Sequence, residues 1–285
     1  MGSRSLRKIV CTGLIHAFCK KARIKSGCFL NNRPAIVFSP HFDDETLGCG
    51  GTIVLKRLAG AHVGIVFMTD GSTSHRNFFP ENKLRQMREK EGENAATVLG
   101  LNSNDDVVFL NYKEARLFER EADAETKVTE LIEKFDPDEI FIPHHREPNL
   151  WSMDHLATRR IVRNAIMKFQ RSYTIYEYPI WYWFHWPWVG IDFHEEFFSK
   201  IILKNTITYR FGMNSIGDFN CGFNVTEVLE RKRTALEQHR TQMRRVIENE
   251  EWLTLPDISN GQFLACFFTG REFFYRYSTK LKGVY

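Results

Sequence analysis

Ala35-Ile-Val-Phe-Ser-Pro-His-Phe-Asp-Asp-Glu45, followed by Thr46-Leu-Gly-Cys-Gly-Gly51, decides how the rest of the chain is read. Residues 35–38 form an unbroken apolar run, the pattern of a strand buried on both faces. Ser39-Pro40 ends it, because proline has no amide hydrogen and restricts the residue before it. His41, Asp43 and Asp44 follow at once, and a glycine-rich segment then leads into an apolar stretch of helical character over 52–58. An imidazole and two adjacent carboxylates therefore lie between a strand end and a helix start. Open α/β sheets bind ligands at such places. Three titratable groups in one turn also need a compensating charge, which a divalent metal supplies.

Outward from this turn, strands alternate with helices. Residues 63–68 read as the next buried strand, ending in the polar turn Thr69-Asp70-Gly71-Ser72. A charged helix over 83–99 stops at Gly100, a third strand spans 106–110, and a helix over 124–135 stops at Asp136-Pro137. A fourth strand over 139–143 runs into His144-His-Arg-Glu-Pro-Asn149; a helix over 156–169 follows, with Ser152 its expected N-cap, and 173–178 is strand-like. This alternation predicts an α/β fold, a Rossmann-like, mostly parallel sheet sandwiched by helices. Beyond it, residues 179–192 are too aromatic and proline-broken for a regular element. Residues 201–209 read as a strand, 224–248 as one charged helix, and the tail from Gly261 is aromatic and basic. With no internal repeat or low-complexity linker, two parts are expected: a basic amphipathic segment over 1–33, and one α/β domain over 34–285 with an aromatic-rich C-terminal elaboration from about 179.

A chain of 285 residues, 43% hydrophobic, can bury a sizeable core. The net charge of +4 is a weak signal, and the basic residues form no groove-reading motif, so no nucleic-acid partner is expected. Six cysteines without a CxxC pair read as reduced thiols of an intracellular protein, and no apolar run approaches the roughly 18 residues that span a bilayer. A cytoplasmic location follows, with a peripheral place at the inner membrane face as the alternative. That alternative rests on the first 25 residues, which carry seven Lys/Arg, no acid, and an apolar stripe of Leu6, Ile9, Val10, Leu14, Ala17 and Phe18. Such a helix either lies on an anionic membrane surface or docks its stripe on the domain. A signal peptide is disfavoured, because Cys11, Thr12, Gly13 and His16 interrupt the apolar region.

His41, Asp44 and His155 are the candidate metal ligands, since two imidazoles and one carboxylate with an open position suit catalytic Zn²⁺. Asp43, aimed to another side, is the candidate general base toward a zinc-bound water nucleophile. N-capping is the competing reading of both aspartates. His155 alone would carry nothing, but two histidine–carboxylate clusters at the ends of separate strands favour a metal. Asp70 and Glu114, at strand ends, either bind a ligand's hydroxyls or cap. The block from Trp181 to Trp188 either stacks on a ligand ring or chain or simply packs. Cys49 reads as an apolar thiol.

Pro40-His-Phe-Asp-Asp-Glu45 with Gly48-x-Gly-Gly51 resembles the opening motif of the PIG-L/LmbE family of zinc-dependent N-acetyl sugar deacetylases, with Phe42 where the family usually has proline. Thr69-Asp-Gly71, Arg88-x-x-Glu91-x-x-x-Ala95-x-x-x-Leu99-Gly100, Met153-Asp-His155 and Gln238-His-Arg-Thr-Gln242 resemble its later motifs, and Glu114 stands where it often has Asp. The resemblance implies zinc on His41, Asp44 and His155, Asp43 as base, and Arg88 as a substrate-binding guanidinium, for which a solvated helix charge is the alternative. It implies a small-molecule amino-sugar substrate, free, nucleotide-linked or lipid-linked. Ser152 replaces a histidine that stabilises the transition state in the family; His144, His145 and His185 are the candidates to supply that imidazole. A catalytically impaired carbohydrate-binding or scaffold protein is the rival expectation, and a membrane-peripheral deacetylase contacting the surface through residues 1–25 is the second.

Overall fold

The computed structural model describes residues 2–21, 23–25, 32–150, 152–191 and 196–279. Eight strands form one sheet: β1 (Arg23–Lys25), β2 (Ala35–Ser39), β3 (Val63–Thr69), β4 (Val107–Tyr112), β5 (Glu139–Pro143), β6 (Thr174–Tyr178), β7 (Cys221–Asn224) and β8 (Arg271–Ser278). Their order is β1-β7-β8-β6-β5-β2-β3-β4, and only β8 runs antiparallel to its neighbours. The helices are α1 (Gly2–Lys21), α2 (Asp44–Leu58), α3 (Glu81–Leu99), α4 (Glu121–Phe135), α5 (Asp154–Ile166), α6 (Glu196–Thr208), α7 (Ser215–Asp218), α8 (Leu229–Leu236), α9 (Arg240–Met243) and α10 (Gln262–Ala265).

Strand β2 is buried along its whole length, and its residues alternate between two cores. Ile36 and Phe38 face the layer of α4 and α5, together with Ile140 and Ile142. Ala35 and Val37 face the opposite core, which α2 and the aromatic C-terminal residues complete. The chain leaves β2 for β3 and β4 on one side and later returns through β5 on the other. The strand order therefore reverses beside β2, and its carboxyl end opens onto the crevice where such sheets bind ligands.

Three local expectations need correction. Residues 201–209 are not a strand; 201–208 lie in α6, because Ile202, Asn205, Thr206 and Tyr209 are buried at helical spacing. The charged stretch over 224–248 is not one helix but β7, a short 3-10 turn, α8 and α9, broken at His239. Helix α5 starts at Asp154, with Met153 at the N-cap; Ser152 stands one residue earlier, its hydroxyl accepting the Asp154 N–H at 3.3 Å. The aromatic tail holds β8, inserted between β6 and β7.

The N-terminal segment is built into this fold. Leu14 and Phe18 of α1 are buried, Phe18 lying against Trp188, Phe219 and Phe273 with ring centroids 6.0, 6.1 and 4.5 Å away. No described helix is long and apolar enough to cross a membrane.

Candidate active site

The turn after β2 is shaped by a buried acid. Asp43 has a left-handed φ of 104°, which is costly for a residue with a side chain. Glu45 holds it: its Oε2 accepts the Asp43 N–H at 3.0 Å, and its Oε1 takes the Thr46 hydroxyl at 2.6 Å and faces His239 Nε2 at 2.8 Å. The side chain of Asp43 makes no capping bond to α2, so plain N-capping does not explain it. Its Oδ2 instead accepts from Gln242 Nε2 at 2.5 Å. The helix then approaches its neighbours closely. A Cβ on Gly48 would stand 2.5 Å from the Tyr178 ring, and one on Gly51 2.5 Å from Val225, which is why glycine recurs there. Phe42 points away into the core, stacked on Phe67 at 4.6 Å and Phe109 at 5.8 Å, so a ring where the resembled family has proline leaves the turn intact.

His41, Asp44 and His155 converge, with one ligand atom from each lying within 4.8 Å of the others. Asp44 Oδ2 is 3.4 Å from His41 Nδ1 and 3.3 Å from His155 Nε2. On its far side His41 Nε2 meets Asp154 Oδ2 at 3.1 Å, and Asp154 also accepts the N–H groups of Ala115 at 2.6 Å and Leu117 at 3.1 Å. Neither ring nitrogen of the buried His155 has a hydrogen-bond partner; Glu147 Oε2 stands 3.5 Å from its Nδ1. An orphaned imidazole nitrogen pointing at a carboxylate oxygen shared with a second imidazole fits a divalent metal. The carboxylates behind both rings match the outer partners that orient metal-binding histidines.

The electrostatics favour a cation at His155 and Asp44, whereas at His41 a metal would have to displace a proton. Burial drives the His155 pKa down to about 4, leaving the neutral ring a metal requires. For His41, burial alone would lower basicity, but Asp154 and Asp44 outweigh it and hold the ring well above 6.5. Asp44 is opposed by burial yet kept below the usual carboxylate range by His155 and His41. Asp43 goes the other way: burial, then the charges of Asp44 and Glu45, push it well above that range.

These groups open into a cleft of about 400 Å³. Arg88 and Glu114 line its polar side. Arg88 is buried, 3.7 Å from Glu114 Oε1 and 3.2 Å from His75 Nδ1. A guanidinium only donates, so that ring nitrogen accepts and His75 Nε2–H donates to the Leu253 carbonyl at 2.9 Å. Burial would raise Glu114, but Arg88 and the Thr73 N–H leave it net lowered and ionised. The other wall is apolar, with Leu150, Ile180, Trp181, Phe198, Leu255 and Phe263. Trp181 stacks on Phe263 at 4.6 Å, whereas Trp183 and Trp188 are packed in the core.

Several candidates fall outside the cleft. Asp70 does not line it; its Oδ1 accepts from Ser72 and from the Glu114 N–H, which makes it a brace for the Glu114 loop. His144 is buried with its Nδ1 accepting the Arg146 N–H, His145 pairs with Glu177 at 2.7 Å, and His185 is stacked on Tyr209 at 4.6 Å. None of the three reaches the side of Ser152, which does line the cleft. His144, His145 and Glu177 do cluster closely enough for a metal, but Arg159, 2.9 Å from Glu177, already neutralises that acid. Conversely, Glu45, Asp154, Glu147, Gln242, His239 and His75 support the site and received no role from the sequence. Glu45, Asp154, His239 and Gln242 were visible inside motifs; His75 had no local signal, because its partners Arg88 and Leu253 are distant in the chain.

The family model for PIG-L, described as GlcNAc-PI de-N-acetylase, matches residues 36–166. A probable N-acetyl-alpha-D-glucosaminyl L-malate deacetylase 2 of Bacillus cereus is 25% identical over 224 residues, spanning 76% of this chain and 87% of that protein. The N,N'-diacetylchitobiose deacetylase of Pyrococcus horikoshii superposes with a TM-score of 0.61 at 20% identity, covering 97% of this chain and 93% of that one. GalB, the 4-carboxy-2-hydroxymuconate hydratase of Pseudomonas putida, gives 0.53 at 14% identity over 82% of this chain and 84% of its own. These two likenesses describe the fold, and the second belongs to a different reaction, so fold alone does not choose the chemistry. The family match is the more specific finding, since the matched residues 36–166 include the turn bearing His41 and Asp44 and the helix bearing His155: this part of the chain is similar to the PIG-L de-N-acetylase family.

Proposed function

We propose that this protein is a metal-dependent hydrolase that removes an acetyl, or other short acyl, group from the nitrogen of an amino sugar or amino-sugar conjugate. The observation that carries this reading is the meeting of His41 Nδ1, Asp44 Oδ2 and His155 Nε2 at one end of the cleft. The de-N-acetylase family match and the Bacillus cereus relative, whose name gives an N-acetylglucosaminyl conjugate, supply the reaction class.

Zn²⁺ is the proposed ion, held by His41, Asp44 and His155, and when bound it lowers the pKa of water to about 7 and polarises an amide carbonyl. Asp43 is the proposed base. Gln242 occupies its Oδ2, leaving Oδ1 to take a proton from the attacking water and pass it to the leaving amine. A carboxyl raised by burial holds that proton long enough to deliver it. Arg88 and Glu114, one donor and one acceptor side by side, suit sugar hydroxyls. The apolar wall suits the acyl group or an aglycone.

The test is amine release from N-acetylglucosamine conjugates by protein stripped with a chelator and then reloaded with Zn²⁺. Loss and recovery of turnover are expected; undiminished turnover by the stripped protein contradicts the reading. A second reading, a carbohydrate-binding protein on a retired hydrolase fold, is motivated by Ser152, beside which no described imidazole takes the missing place. Tight metal binding and sugar binding without amine release would favour it.

A further inference from the structure

A second cavity, of about 310 Å³, is lined by α1, by Trp183 and Trp188, and by the segment that runs from α10 into β8. No residue lines both this cavity and the cleft. Helix α10 borders each: Phe263 lines the cleft, whereas Gln262 and Ala265 line the second cavity. Phe18, Trp183, Trp188 and Phe273 make its buried side, with Trp183 and Trp188 packed edge to face at 4.9 Å. Thr12, Ala265 and Thr269 are exposed and leave it open to solvent. Its size is at the low end for small-ligand sites, and a wall of four aromatic side chains suits a flat apolar body.

The uncommitted nitrogen atoms on this wall are donors. Arg7 uses one guanidinium nitrogen for the carbonyls of Trp188 at 2.8 Å and Pro187 at 3.4 Å, and its Nε and Nη2 have no partner among the described residues. Lys8 follows it, exposed; no carboxylate lines the cavity, and neither cation is paired with one among the described residues. The Nε1–H of Trp188, a side chain only 7% exposed, has no acceptor. Gln262 commits its Oε1 to the Gly190 N–H at 2.8 Å, which leaves its amide NH₂ to donate. Two thiols add no negative charge. Burial pushes Cys11 up to about 11 and Cys266 up to about 12, and Cys11 donates to the Pro187 carbonyl at 2.9 Å. A buried N–H without an acceptor is costly, and unmatched cations beside it call for an anion. A carboxylate, which only accepts and carries one negative charge, answers both. Inorganic phosphate would match the cations but leave the aromatic side unfilled.

We propose that this cavity is a second ligand site, separate from the cleft, and that it takes a small aromatic carboxylate. The carboxylate accepts from Arg7 and from the Trp188 Nε1–H with Lys8 close by, and the ring lies among Phe18, Trp183 and Phe273. The site is independent of the reaction read from the cleft. Isothermal titration of the full chain with 3-phenylpropionate, with and without Zn²⁺, tests it. A Kd of about 1 mM or tighter is expected in both conditions, within what a ligand of this size can supply. Propionate, which lacks the ring, and 3-phenylpropan-1-ol, which lacks the charge, should each bind at least about tenfold more weakly. Arg7→Gln with Lys8→Gln should weaken 3-phenylpropionate at least about tenfold and leave 3-phenylpropan-1-ol unchanged. A readout in unaltered protein guards against loosening of α1 in that variant: the Trp188 indole N–H resonance, assigned by its loss in Trp188→Phe, should move as 3-phenylpropionate is added. Absence of binding by the wild type, equal binding of the alcohol, or a Trp188 resonance unmoved at saturation overturns the proposal. So does binding that requires Zn²⁺, which would place the carboxylate on a metal in the cleft.

Discussion

Asp43 and Asp44 are adjacent yet face different tasks, and the left-handed φ of Asp43 is what separates them. Asp44 turns toward the two imidazoles; Asp43 turns toward Gln242 and the cleft. Replacing Asp43 by Ala should abolish amine release while the zinc content after dialysis stays that of the wild type, because no proposed ligand is touched. Full turnover would remove Asp43 as the base. Asp154 acts one step further out, orienting His41 through Nε2. Asp154→Asn should therefore lower metal affinity by about 10- to 100-fold in chelator competition, with the fold retained. At this scale the sequence was informative where chemistry is local: residue type and strand-end position singled out His41, Asp44 and His155, whose ligand atoms the fold brings together. Asp70 misled because a carboxylate at a strand end serves equally well to brace a loop, and only the partners of its Oδ1 distinguish the two.

At the scale of elements, α2 depends on the C-terminal third. Lys232 of α8 and Glu272 of β8 form a buried pair 2.7 Å apart that inserts into the α2 hydrogen-bond ladder. Lys232 donates to the Leu47 carbonyl at 2.8 Å, and Glu272 accepts the N–H groups of Gly51 and Thr52, each at 2.7 Å. The elaboration therefore holds the helix whose first turn carries Asp44. Glu272→Gln leaves Lys232 as a buried charge without its counter-ion and should destabilise the protein by about 3 kcal/mol in urea titration. The break at His239 has a related cause. A continuous helix would commit the Thr241 N–H to its own ladder; the break frees it to donate to Glu91 Oε1 at 3.0 Å, while the Thr241 hydroxyl donates to Oε2 at 2.7 Å. Helix α6 was unreadable for a different reason: its isoleucines and threonines favour strands in isolation, and burial of one face overrode that preference.

Across the whole molecule, buried titratable groups set the acid limit of stability. Glu177 is depressed to about 2: burial opposes ionisation, but His145 and Arg159 outweigh it. Its contribution is complete above about 4.5, the unfolded value, and is lost as pH falls from there through about 2. His144 is buried neutral with its pKa lowered to about 3, so the unfolded state binds the extra proton between about 6.5 and 3, and stability falls with pH across that window too. His144 should lower the urea midpoint below about pH 6.5 and Glu177 below about 4.5, while Glu147, raised to about 8 by burial, works the other way between about 8 and 4.5, so the net decline should be clearest below about 4.5. Glu177→Gln should flatten the lower part, and an unchanged profile in that variant would remove the group from the account.

The sequence by itself determined the alternating strands and helices from residue 35 to 178, because periodicity and helix-stop residues act over a few positions. It also determined which residues could hold a cation. What only the tertiary structure decided is everything requiring distant chain segments to meet: β8 between β6 and β7, the Glu45–His239 and Asp43–Gln242 contacts, and the apolar cleft wall. Partners separated by some two hundred residues leave no periodic trace, since only the free energy of burying them together selects the pairing.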